Sequence, residues 1–210
     1  MKVLTIDFNY IMYPCIKLYN HLCNYKENPT INWEFIENEL EIEHFLTYDA
    51  EALKQIARII RYNCNNKAKL IKIETVPEIV DKILSLENKI ELTNIDWMHD
   101  IAYTVDDADN IQNFDTYNPN SWVGYLFNKS KLEKYIWIRA RNSDRPNREL
   151  LDKLQFEFEE GSRSHLMSLP NDFDMIYFYF NSTQVPYKYK HLYDLISIIG
   201  EEIPREEEDV

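Results

Sequence analysis

The 210 residues carry a formal net charge of −13, are 45% hydrophobic and 14% aromatic, and include three glycines, Gly124, Gly161 and Gly200. So few glycines exclude the Gly-rich loops of dinucleotide and P-loop sites, which need several close together. The acidic balance disfavours direct binding to a nucleic-acid backbone. Apolar content suffices for a core, and the length suits one domain, since single cores grow to roughly 250 residues before chains split.

Lys2 to Phe8 reads as a buried, central first strand ending on Asp7. Pro14 then opens a helical stretch with Ile16, Leu18, Tyr19, Leu22 and Cys23 on one face, and Trp33 to Leu40 suggests another helix. Asp49 is the expected N-cap of a helix to about Asn63, followed by a strand over Leu70 to Glu74. Thr75-Val76-Pro77-Glu78 reads as a capping box with a first-turn proline. Lys89 to Ile95 is the next strand and runs straight into Asp96. From Asp100 to Asn120 the chain is polar and reads as irregular. Ser121 to Phe127 and Arg148 to Leu154 read as helices, and Tyr135 to Arg139, Phe156 to Glu159 and Met175 to Phe180 as strands. A last helix is expected over Pro186 to Ile199, with Leu192, Leu195, Ile196 and Ile199 inward. Alternating strands and helices predict an α/β domain with a mainly parallel sheet covered on both faces.

The domain is expected over residues 1–200. Residues 201–210, with Glu201, Glu202, Glu206, Glu207, Glu208 and Asp209, read as an acidic, solvated tail. The three cysteines, Cys15, Cys23 and Cys64, show no C-x-x-C spacing, so a disulfide framework or structural zinc site is not expected. Asp7 and Asn9 interrupt the N-terminal apolar stretch, which argues against a signal peptide. No apolar run approaches the ~18 residues of a membrane span.

In open parallel sheets ligands gather at the carboxyl ends of strands, which directs attention to Asp7 and Asp96. Asn94-Ile95-Asp96-Trp97-Met98-His99-Asp100 places two carboxylates and an imidazole within five positions, a ligand set suited to Mn, Fe, Co or Zn. Asp7 and Asn9, two apart, would face one side if the strand continues, and Asn9 adds a neutral oxygen. The ordinary alternatives are an Asp that caps a turn and a buried Asp bonded to nearby backbone. Ser162, Ser164 and His165 lie close together without a nucleophile elbow. Asp106, Asp107 and Asp109 lack the glycine and distal glutamate of a calcium loop. Arg139, Arg141, Arg145 and Arg148 form the one basic cluster; it either receives an anion or balances the acidic surface. Trp122 and Trp137 read as core residues and His191 as a surface residue.

Four stretches resemble a bacterial and phage family distantly related to arginase-like and deacetylase-like metal hydrolases. They are Ile6 to Asn20, Asn94 to Ile101, Asn120 to Leu126 with Tyr135 to Ile138, and Met175 to Phe180 with Ser182, Val185-Pro186 and His191 to Asp194. The resemblance implies an arginase-like three-layer α/β/α fold and a divalent ion (Mn, Zn, Fe or Co) held by Asp7, Asn9, Asp96, His99 and Asp100, with Asp96 and His99 catalytic. It also implies residence in the cytoplasm of a bacterial or phage-infected cell. Arginase-type motifs carry Asp, His and Asp at alternate positions; here Met98 stands in the middle, and Asn9 stands where a carboxylate is expected. One metal, or a degenerate site, follows rather than a full binuclear centre. The implied activity is hydrolysis of a C–N bond of amide or guanidine type in a small-molecule or peptide substrate. The rival expectation is a non-enzymatic, phage-type inhibitor whose acidic surface occupies a basic protein partner.

Overall fold

The computed structural model describes residues 1–14, 46–140, 143–180, 185 and 187–201. Strand β1 (Lys2–Asp7) is buried on both faces and lies inside a six-stranded, all-parallel sheet. A short antiparallel pair, β2 (Met12–Pro14) and β3 (Leu46–Tyr48), stands apart from it. The other sheet strands are β4 (Lys69–Ile73), β5 (Ile90–Asp96), β6 (Leu132–Arg139), β7 (Glu159–Gly161) and β8 (Met175–Tyr179), in the spatial order β4-β8-β1-β5-β6-β7.

Burial on both faces explains the composition of these strands. On one face Leu4, Ile6, Ile95, Ile138, Ile176 and Phe178 pack against helices α1 (Ala50–Asn65) and, by the C-terminus, Lys190–Glu201. On the other, Val3, Leu92, Tyr135, Trp137 and Tyr177 meet α2 (Val76–Leu84), α4 (Trp122–Asn128) and α5 (Arg148–Leu154). The short α3 (Val105–Asp109) adds Ala108 to this second layer, and Lys190–Glu201 is α6. Helices therefore cover both faces, as strand–helix alternation requires. Trp122 and Trp137 are core residues, and His191 is exposed.

Local chemistry fixes the element starts. Asp49 Oδ1 accepts from the N–H groups of Glu51 and Ala52, capping α1, and Thr75 Oγ1 accepts from Glu78 N at the start of α2. Five expectations are corrected. Pro14 closes β2; the helical stretches proposed after it lie outside the described residues, as does the tail from residue 202. The polar stretch after Asp100 is not irregular: Thr104 and Asp107 cap each other across the first turn of α3, and a π-helical turn, Asn110–Phe114, follows. Asp stands where the capping box carries Glu or Gln, so the signal was present in a variant form. The strand placed on Phe156 to Glu159 lies later, at Glu159–Gly161, because Phe156 is buried in the core ahead of it. The sixth strand starts at Leu132, three residues earlier than expected. On α6, Leu195 points to solvent, while Tyr193, Ile196 and Ser197 face inward.

The chain passes from β1 to β4 on one side of the sheet and then to β5 on the other. Strand order thus reverses at β1, where a crevice opens beyond the carboxyl ends of an open α/β sheet. Asp7 and Asp96 end the two strands that meet there.

Candidate functional site

Register brings the first acidic pair together. Ile6 pairs with Ile95, so the next residues, Asp7 and Asp96, are neighbours across β1 and β5. Thr5 and Asn94, two positions earlier, point to the same face by strand alternation, and Thr5 Oγ1 donates to Asn94 Oδ1 at 2.7 Å. After β5 the chain turns back through Asp100, whose φ of 54° lies in the left-handed region, uncommon for a non-glycine residue but best tolerated by Asp and Asn. The first turn of α4 holds that turn in place: Val123 and Gly124 donate backbone N–H groups to the Asp100 carbonyl at 2.9 and 3.3 Å. Gly124 is required there, because a Cβ would lie 2.2 Å from the Ile101 carbonyl oxygen.

Thr5, Asp7, Asn9, Asn94, Asp96, Met98 and Asp100 line one small cavity, closed on other sides by α2, Trp122 and Tyr179. Its interior leaves about 20 Å³ for the centres of water-sized spheres, room for an ion or a water. Asp7, Asp96 and Asp100 are 5%, 5% and 4% exposed. Among the described residues none of the three forms an ion pair with Lys, Arg or His. Each is instead tied to its own loop or neighbour. Asp7 Oδ1 accepts from Asn9 N at 2.9 Å, Asp96 Oδ1 from Met98 N at 3.1 Å, and Asp100 Oδ2 from Asn94 Nδ2 at 3.5 Å.

Burial without a compensating cation favours the protonated acids. Desolvation, reinforced by the Asp96 charge, pushes Asp7 and Asp100 well above the usual carboxylate range. Asp96 is raised by burial to about 6, held there by donors from Met98, Asp100 and Trp97. The proximity of the two acids pushes Asp100 up and Asp96 down relative to burial alone. Among the described residues no three His, Cys, Asp or Glu side chains are drawn together closely enough to hold a metal ion as they stand.

His99 does not line this cavity. Its Nδ1 accepts from Ile101 N at 3.1 Å, its ring stacks on Tyr103 at 4.1 Å between centroids, and it meets the edge of Trp137 at 5.7 Å. Burial lowers its pKa to about 4. It is neutral near pH 7, with its proton on Nε2, since Nδ1 is an acceptor. Asn9 does reach the cavity with Asp7, through a 3-10 turn (Phe8–Ile11) after the strand rather than by strand alternation. The alternate positions 96, 98 and 100 all face the cavity. Asn181-Ser182-Thr183 lies outside the described residues, and Asp172 and Asp174 sit at the opposite edge, bound to Lys2.

Several supporting residues carry no obvious sequence signal. Tyr103 Oη accepts from the N–H groups of His99 and Asp100 at 3.0 and 3.4 Å. Tyr135 Oη donates to the His99 carbonyl at 2.9 Å, and Trp137 Nε1 donates to the Asp96 carbonyl at 3.1 Å. Thr5 and Asn94 were readable, since the period of 2 that placed Asp7 and Asp96 on one face also places the residues two before them. Compared with known proteins, the chain matches no family model, no curated protein and no solved structure.

Proposed function

We propose that the chain is a metal-dependent, arginase-like hydrolase acting on a C–N bond of amide or guanidine type, with one divalent ion held by Asp7, Asp96 and Asp100. The observation that supports this most is the burial of three carboxylates around one ion-sized cavity at the reversal of strand order, without a cationic side chain among the described residues to balance them. Such a group is costly to keep unless it serves a ligand. Asp7, Asp96 and Asp100 would hold the ion once their side chains turn into the cavity they line, which Asn9 also lines. Asn94, fixed by Thr5, orients Asp100 from behind. With His99 turned into the core, the donors are all oxygen, which favours Mn or Mg over Zn. A divalent ion bound there supplies Lewis-acid polarisation of a carbonyl or a water. His99 is a positioning residue in this reading: it holds the Ile101 N–H and seats the turn that carries Asp100.

The test is the melting shift of metal-stripped protein on adding Mn, Mg or Zn, in wild type and Asp96→Asn. Saturation at about 100 times the dissociation constant adds roughly 2.7 kcal/mol, a shift of about 5–10 °C at this size. The shift is expected with Mn or Mg and lost in Asp96→Asn. No shift with any of the ions, or an undiminished one in the variant, overturns the proposal.

A further inference from the structure

Beside the acidic cavity, at the same edge of the sheet, lies a cleft of opposite character. Arg139 ends β6 and is the register partner of Asp96, so their backbones stand about 4.8 Å apart. Beyond it, β7 delivers Ser162, Arg163 and Ser164 on the 3-10 turn that follows Gly161. Among the described residues Arg139, Ala140, Ser162, Arg163 and Ser164 line a cleft of about 370 Å³, none of them acidic, the size of a small-ligand site.

Two guanidinium groups gather here on a chain of net charge −13. Glu160 is shared by Arg139, at 2.5 Å, and Arg145, at 3.3 Å, so one carboxylate faces two guanidinium groups. Arg163 pairs with Asp49. These partners orient the two arginines of the cleft wall, and Arg145, which shares Glu160, stands outside that wall. Ser162 Oγ and Ser164 Oγ stand 2.9 Å apart, and His165 Nδ1 lies 3.1 Å from Ser162 Oγ, which gives the two hydroxyls a fixed position at the cleft wall.

We infer that this cleft binds the phosphate group of a small substrate whose reacting bond is presented to the neighbouring aspartates. The inference deepens the proposed function and rests on it for the reaction, while phosphate binding itself needs no metal. Guanidinium forks match oxyanions. Donors arriving from two elements and two hydroxyls suit the three-directional oxygens of a phosphate better than the coplanar pair of a carboxylate.

The experiment is a calorimetric titration of the full, metal-stripped chain in chelator with inorganic phosphate, with acetate and chloride at matched ionic strength as controls. Saturable phosphate binding is expected. Arg139→Gln and Arg163→Gln are expected to weaken it by roughly tenfold or more, as for loss of a charge-assisted hydrogen bond. Arg163 also holds Asp49 at the start of α1, so Ser164→Ala, at an exposed position outside any cap, provides a variant with an intact fold, expected to weaken binding by roughly threefold. No saturable binding, binding equal in all three variants, or acetate binding as tightly as phosphate overturns the inference. A failed metal titration with intact phosphate binding would remove the proposed reaction and leave the cleft; the reverse result would remove the cleft alone.

Discussion

The two ends of β5 are both acidic, and they are built on opposite principles. At the amino end Glu91 joins Glu133, Glu157 and Glu159 around an open groove. Those carboxylates reach water, and Glu159 pairs with Lys134 at 2.8 Å. At the carboxyl end Asp96 joins Asp7 and Asp100 inside the fold, and the compensation on hand is hydrogen bonds from Asn9, Met98 and Asn94. More carboxylates stand at the amino end, yet exposed charges cost little and call for no ligand. Net charge and acidic counts therefore do not identify the site; burial without a counter-charge does.

The carboxyl end depends most heavily on its support from α4. Gly124 lets α4 approach the turn closely enough to hold the Asp100 carbonyl. Gly124→Ala forces a methyl group against the Ile101 carbonyl, backbone that has no other rotamer to adopt. Overpacking of this kind is expected to cost about 3 kcal/mol or more, read as a fall in the urea midpoint. A substitution at an exposed amino-end position, such as Glu157→Gln, should stay within about 0.5 kcal/mol. A mild effect at Gly124 would mean that the turn is loosely held and the aspartates are not fixed by it.

The next effect is a gain. Asp96 has a folded pKa of about 6 against 3.8 in the open chain. A raised pKa contributes stability that is present below the unfolded value and lost as pH rises through the folded one. The metal-free protein should therefore weaken between about pH 4 and pH 7 on this account, by about 2–3 kcal/mol for a shift near 2 units. His99 acts in the opposite sense: lowered to about 4, it costs stability as pH falls from about 6.5 to 4. Comparing Asp96→Asn with wild type at each pH cancels the histidine. The variant should melt about 5–10 °C higher at pH 8 and about equally at pH 4, since Asn keeps an oxygen for the Met98 N–H. A variant no more stable at pH 8 would show that the burial is harmless and not held for a ligand.

The inner strands were legible because they are largely apolar runs bounded by polar loops, as both faces of a parallel sheet demand, whereas the edge strand β7, Glu-Glu-Gly, carries no such run and was placed too early. Asp49 and Thr75 were legible because a cap is a local bargain between a side chain and the next few N–H groups. The carboxyl-end cluster was legible only in part. Asp7 and Asp96 are strand-end residues and announce themselves, and Asp100 follows in the same short Asp/His-rich stretch. The side taken by His99 is not local: it depends on Tyr103 stacking, on the edge of Trp137 and on the Ile101 N–H, partners that no spacing rule supplies. The pairing of Arg139 with a serine cleft after β7 was hidden for the same reason, since it needs the register of three strands.

Position 98 gives the finest test of the difference between the two ends. Asp96, Met98 and Asp100 alternate and all face the cavity, so the middle residue is where an added ligand would count, whereas residue 99 is committed to the core. Met98 is half-buried and close in volume to histidine, so Met98→His is tolerable in packing terms. An imidazole there adds a nitrogen to an oxygen set, which strengthens binding of borderline ions such as Zn and leaves hard Mg nearly unchanged. The expected outcome is Zn affinity raised by about tenfold, equivalent to about 1.4 kcal/mol, with Mg affinity altered by less than about twofold. Competition with a chromophoric chelator reads both. Equal gains for the two ions would point to a general change in the loop, and no gain for Zn would place the ion out of reach of position 98, against Asp7 and Asn9 on the β1 side of the cavity.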